Sequence, residues 1–474
     1  MKADLQQMNL TTLLANFCVD DTLSFPESAI RSAELAIADT VGCMLAGADD
    51  PAVVKVGRSI PDEKTARLSS KSSSVQHAFP VSARDAAAVN GCAAHALDFD
   101  DNVMPGIMHS SAVLVPALFA LGEEIDATAS DIVRAYIIGT EVNAQIGKLV
   151  NPTQYEAGWH TTSTIGTIGT AAACATLMKL NSDQVAHAMS LGFSLAGGSK
   201  IQFGSEAKPM HAGFAAENAI RAAQLAKQGL EGNTNVFQGK WSFQDLYAGG
   251  DCTDTFLPEL FPNAPLAIDE FPPVAKLYPS CGSSHLGIDA ILALRAKHMF
   301  ELTDIAGVDV HMRKAMVDNL RYKAPVDEKQ ARFSMTYCAA LALVHGLPRL
   351  PHFTPEALSN PGPLIERLLP LVDMHIREAT PESANLPFGA DCLVQLRMTS
   401  GEVLEHIAEY PKGCSENPLT SDERREKFLD CAAIRLSEAY AMSVYSKLHG
   451  FARLTAIGEL TSALRKNQKE KAAI

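Results

Sequence analysis

NAPLAIDEFPPVAKLYPSCGSSH, residues 263–285, carries four prolines (Pro265, Pro272, Pro273 and Pro279) between two stretches of different texture. Each proline lacks a backbone donor and fixes φ, so the run suits an extended connection better than a helix or an inner strand. Before it the chain is helical. FPESAIRSAELAIADTVGCMLAG (25–47) has a proline at its start, apolar residues at three- and four-residue spacing (Ile30, Ala33, Ile37, Val41) and Gly47 at its end. Residues 83–94, 112–124 and 130–146 repeat the pattern, and TTSTIGTIGTAAACATLMKL (161–180) is rich in the small residues that let helices approach closely. A further helix is expected from His211, closed by Gly229, with Lys208 and Pro209 on the loop before it.

After the proline run, alternation appears. Val308, Val310 and Met312 against Asp309, His311 and Arg313 predict a half-buried strand. Residues 391–410 predict two strands around a Ser400-Gly401 turn, and helices are expected at 286–297, 332–345 and 363–371. Past Pro418 the pattern returns to helix in LTSDERREKFLDCAAIRL (419–436). The expected fold class is therefore mainly α. A large all-helical domain is built from both chain ends, residues 1–268 and 409–474, with a smaller α+β domain inserted at 269–408. Only the KNQKEKAAI tail has the look of low-complexity charge.

With 474 residues, 47% of them hydrophobic, the chain has material for two or three domains of a soluble protein. A net charge of −14 argues against a nucleic-acid or anionic-membrane partner, which would need a basic face. The ten cysteines are scattered without a CxxC pair, as in a reducing compartment, and neither a signal peptide nor a membrane-spanning run is legible. The expected location is the cytoplasm.

Polar clusters interrupt the apolar helices at five places. HALDFDDNVMPGIMHSS (95–111) holds His95, Asp98, Asp100, Asp101, Asn102 and His109; GWHTTST holds His160. GSEAKPMHAG holds Lys208 and His211; AKLYPSCGSSH holds Lys276, Tyr278, Cys281 and His285; LRYKAP holds Tyr322. Singly, each has a plain reading: a solvated turn, a helix cap, a core histidine, a loop charge. Together they share a setting, a Pro- or Gly-punctuated loop beside a small-residue helix, where sites are usually built. No HExxH, calcium loop, GxSxG, phosphate loop or dinucleotide fingerprint occurs. What remains is acid–base chemistry without metal or organic cofactor, His and Asp moving protons while lysines hold an anion.

In LDFDD with the following His109 and Ser pair, GWHTTSTIG, AKPMHAGFAAEN, KLYPSCGSSH and NPLTSDERREKF, the chain resembles the MmgE/PrpD family over nearly its whole length. That family includes 2-methylcitrate dehydratase, cis-aconitate decarboxylase and iminodisuccinate epimerase. The resemblance implies a helical domain and a lid domain with the site between them, a homodimer, and no metal or organic cofactor. It implies catalytic roles for Asp98, His109, His160, Lys208 and Tyr322, and substrate binding by Asn102, Lys276, Cys281 and His285. Asn102 falls where the mammalian decarboxylases have Thr. Cys281 falls where they have His, whereas the fungal decarboxylase and the epimerase have Cys there.

The expected function is that of a lyase, dehydratase or decarboxylase, acting on a small di- or tricarboxylate such as 2-methylcitrate or cis-aconitate. His109 handles the carbon-bound proton, Asp98 orients its ring or a substrate hydroxyl, and the lysines stabilise the developing charge. An epimerase of an iminodisuccinate-like dicarboxylate would use the same apparatus. A non-catalytic binding protein that keeps the fold is the alternative of another class.

Overall fold

The computed structural model describes residues 9–61, 70–249, 256–384, 386 and 391–465. Cys252 and the KNQKEKAAI tail lie outside them. The nine described cysteines are buried and unpaired with one another as disulfides.

The first core is a layered helical body. Its inner helices, Ala83–His95 and Thr161–Leu177, are buried along almost their whole length, and Ala207–Lys227 packs across both. Small residues permit this. A β-carbon added at Gly213 would run into the carbonyl of Ala88, so these two backbones touch where only glycine fits. Glu27–Gly47, Ser111–Ile125, Ala129–Val150 and Ser182–Leu195 complete the body. Capping boxes at Thr128 and Asn181 satisfy the opening N–H groups of the last two. From the far end of the chain, Ser421–Ala432 and Glu438–Leu448 add Phe428, Ala432, Val444 and Leu448 to the same core.

The second core lies between these two contributions. Strands β1 (Ile305–Met312), β2 (Val372–Ile376), β3 (Cys392–Met398) and β4 (Val403–Ala408) form one sheet in the order β2-β1-β3-β4. β1 runs parallel to β2, with Val308 opposite Val372, and antiparallel to β3, with Val310 opposite Val394. Helices His285–Lys297 and Met335–His345 pack on it, burying Val308, Val310, Val394 and Leu396 with Ile291 and Leu341.

The mainly α fold with an inserted α+β unit is the one expected, and three local readings need correction. The helix at 207–227 begins four residues before His211, so Lys208 and Pro209 sit in its first turn. Proline is tolerated there because its missing N–H would have no intrahelical acceptor. The helix expected from 332 starts at Met335, because the Ser334 side chain accepts the Tyr337 N–H and caps it. Strand β2 was not anticipated. Its five residues follow directly on the helical turns of Pro363–Leu371, too short a stretch for its alternation to stand out.

Candidate active site

The acidic loop after Ala83–His95 is buried: Asp98 is 2% exposed, Asp100 0% and Asp101 1%. The solvated turn that would suit an isolated DFDD run is thereby excluded. Asp98 holds φ +51°, a left-handed conformation that aspartate tolerates better than most residues. The loop is tied down on two sides. Asn102 and Val274 exchange backbone hydrogen bonds, joining it to the proline-rich connection. Thr162 Oγ1 accepts the His109 N–H at 3.0 Å, and Thr161 Oγ1 donates to the Ile107 carbonyl, so the threonines of GWHTTST pin the second half.

Asp98 receives both lysines. Lys208 Nζ donates to its Oδ2 at 2.7 Å, and Lys276 Nζ to its Oδ1 at 2.5 Å and its carbonyl at 2.8 Å. All three residues are at most 4% exposed. Burial pushes Asp98 up, but the Lys208 and Lys276 ammonium groups outweigh it and hold the carboxyl well below its usual range. Burial likewise disfavours the Lys276 ammonium, and Asp98 more than compensates, so Lys276 stays charged. Removing one partner from such a cluster would strand a buried charge, at about 3–5 kcal/mol.

Asp100 serves the histidines. Its Oδ2 lies 2.8 Å from His95 Nδ1 and 3.1 Å from His109 Nδ1, the second contact poorly aligned. Asp98 Oδ1 is 4.0 Å from His109 Nε2. Asp100 thus stands nearer the His109 ring than Asp98 does, whereas the sequence suggested Asp98 for that ring or for a substrate hydroxyl. Burial disfavours the charged His95, lowering it to about 3, and lowers His109 as well, so both rings are neutral and Asp100 is ionised between them. His160 Nδ1 pairs with His211 Nδ1 at 2.9 Å, which leaves His160 Nε2 without a protein partner. Burial above all keeps His160 neutral.

Part of this cluster faces a cleft of about 350 Å³ between the two cores. Asp98, Asn102, His109, His160 and Lys208 line it from the helical body; Lys276, Cys281 and His285 line it from the connection and the start of the following helix. Tyr322 does not. Its hydroxyl donates to the carbonyl of Phe203, a residue that does form part of the wall, at 2.8 Å. His285 Nε2 donates to the Ser280 carbonyl, and burial followed by Lys276 lowers it to about 3. Burial, then Asp98, raises the Cys281 thiol, so it enters the wall as a neutral group.

Sequence reasoning named no role for Asp100 or His95, although both stand in the quoted loop, nor for Tyr155 and Asn319. The last two bridge the cores across the cleft: Asn319 Nδ2 donates to the Tyr155 hydroxyl at 2.9 Å and to Ser283 Oγ at 3.0 Å. Tyr155 lies five residues before His160 and Asn319 three before Tyr322, so proximity to a motif was the one available signal.

Could the histidine group hold a metal? The ligand atoms of His95, Asp100 and His109 lie within 4.8 Å of one another. His95 already hydrogen-bonds the carboxylate oxygen that His109 approaches to 3.1 Å, and two ammonium groups stand beside them. A cation would have to open both contacts, against that charge.

A helical body and an α+β unit, meeting at a cleft that gathers ammonium, carboxylate and imidazole groups, define a two-core architecture equipped for proton transfer beside an anion. The chain belongs to the MmgE/PrpD family: the family's N-terminal domain matches residues 12–255 and its C-terminal domain residues 278–444. It is 28% identical to cis-aconitate decarboxylase of Homo sapiens over 74% of this chain and 73% of that one. To that of Mus musculus it is 27% identical, over 72% and 70%. To cis-aconitate decarboxylase of Aspergillus terreus it is 25% identical, over 95% and 94%.

Proposed function

We propose that this protein is a cofactor-independent lyase acting on a small di- or tricarboxylate, with cis-aconitate decarboxylation and 2-methylcitrate dehydration as the leading reactions. One observation carries the reading: two buried lysines and a carboxylate-oriented, neutral histidine share one cleft wall. A carbon beside a carboxylate is a weak acid because its carbanion forms next to an anion. Lys208 and Lys276 present N–H donors beyond those that Asp98 accepts, and these stabilise the enolate-like charge. His109 Nε2 exchanges the proton at that carbon, while Asp100 stabilises the imidazolium that forms. His160 Nε2 is free to hydrogen-bond the substrate. Asn102, Cys281 and His285 shape the end of the cleft where the carboxylates' substituents differ.

The protein works in this reading as a cytoplasmic homodimer without metal. Cys281 in a PSC sequence on the wall also favours a second reading, epimerisation of an iminodisuccinate-like dicarboxylate. Incubation with cis-aconitate, 2-methylcitrate and iminodisuccinate in D₂O, followed by NMR, separates the cases. Carbon dioxide release or water loss supports the lyase, and solvent exchange with inversion supports the epimerase. Unchanged spectra for all three would reduce the protein to a binding role.

A further inference from the structure

The segment NPLTSDERREKF (417–428) is distinctive in sequence, yet none of its residues lines the cleft. Most charged side chains of helix Ser421–Ala432 are exposed or half-buried; Lys427 is only 5% exposed. Its Nζ lies 2.7 Å from Asp39 Oδ1 on helix Glu27–Gly47 and donates to the Phe99 carbonyl at 2.8 Å. It also stands 4.2 Å from the centroid of the Phe99 ring, which packs with Cys43, Ala46 and Cys431. Phe99 separates Asp98, which holds the two lysines, from Asp100, which holds His95 and His109. A buried ion pair made from opposite ends of the chain thus grips the backbone between the two carboxylates. Asp39 alone would neutralise the ammonium. The bond to the loop carbonyl is additional, and it falls beside Asp98, whose left-handed φ must be held by its surroundings.

We propose that Lys427 is a positioning residue. Its ammonium, anchored by Asp39, fixes the Phe99 carbonyl and with it the placement of Asp100 relative to Asp98, so helix Ser421–Ala432 completes the site without touching substrate. The catalytic part of this proposal rests on the cleft being the site of proton transfer; the ordering of the loop does not.

The test compares Lys427→Met with the double variant Asp39→Asn/Lys427→Met, which leaves no unpaired buried carboxylate and protects folding. Phe428→Leu is the control, since it loosens the same helix without touching the Phe99 carbonyl. Amide hydrogen exchange over residues 96–104 should quicken at least tenfold in the double variant. On the substrate that the wild type turns over, kcat should fall at least tenfold while KM changes less than threefold, because Lys208 and Lys276 still share Asp98. Phe428→Leu should do neither. Unchanged loop exchange, a loosened loop with wild-type kcat, or equal effects in Phe428→Leu would each overturn the proposal. If the wild type turns over none of the three carboxylates, the functional reading fails on that result, and the exchange data still decide whether Lys427 orders the loop.

Discussion

His109 stands with Nδ1 against Asp100 and its side chain 13% exposed, the most accessible of the four groups Asp98, Asp100, His95 and His109. Replacing it by Ala should lower kcat/KM by about 10²–10⁴-fold while a cooperative thermal transition is retained; a smaller loss in steady-state assays would remove it from the proton transfer. Because burial lowers His109, its neutral, proton-accepting form persists below pH 6.5. The acid limb of kcat/KM should therefore fall below pH 6.5, and a limb at or above that value would contradict the assignment. Asp101 behaves oppositely. Burial raises it to about 7, against the lowering effect of its hydrogen bond from Ser111. Between pH 3.8 and 7 the folded state then binds a proton that the unfolded state does not. Asp101 thus contributes stability at low pH that is lost as pH rises through 7. Asp101→Asn removes this dependence, so its Tm relative to wild type should be higher at pH 8 than at pH 5. A difference independent of pH would show that Asp101 is ionised throughout.

At the scale of elements, the site depends on where three helices cross. Ala83–His95 delivers the acidic loop, Thr161–Leu177 begins immediately after His160, and Ala207–Lys227 carries Lys208 and His211 in its first turns. The contact of Gly213 with the Ala88 carbonyl sets the depth at which the third helix rides on the first. Gly213→Ala must push the two apart, at about 1–3 kcal/mol, and should lower the denaturation midpoint accordingly. A neutral or stabilising result by chemical denaturation would mean that the crossing relaxes freely. The helices themselves were legible from spacing and small-residue content. Their exact starts were not, because Ser334 and the Ala207–Pro209 turn act through capping and first-turn tolerance, which a periodicity does not report.

For the whole molecule, the cleft takes lining from both cores, and the Tyr155–Asn319 bridge crosses it. A carboxylate bound to Lys208 and Lys276 would link the helical body to the connection that leads into the α+β unit. At a hundredfold excess over Kd such a ligand stabilises the folded state by about 2.7 kcal/mol. Citrate or another unreactive tricarboxylate should therefore raise Tm in differential scanning fluorimetry, and Lys276→Met should abolish the shift. Equal shifts in wild type and variant would place the anion elsewhere. Among the described residues, no helix is long and apolar enough to cross a membrane.

From the sequence alone came the mainly α class, the inserted α+β unit and eight side chains that line one cleft, because periodicity, proline clustering and motif order are written along the chain. Only the tertiary structure decided which groups pair. Asp98 meets the lysines and Asp100 the histidines, while Tyr322 turns its hydroxyl to the Phe203 carbonyl and Lys427 reaches the loop from more than 300 positions away (Lys427 to Phe99, a separation of 328). Adjacent carboxylates look alike in one dimension. Which of them faces an ammonium or an imidazole depends on a left-handed turn at Asp98 and on helices that meet only after folding.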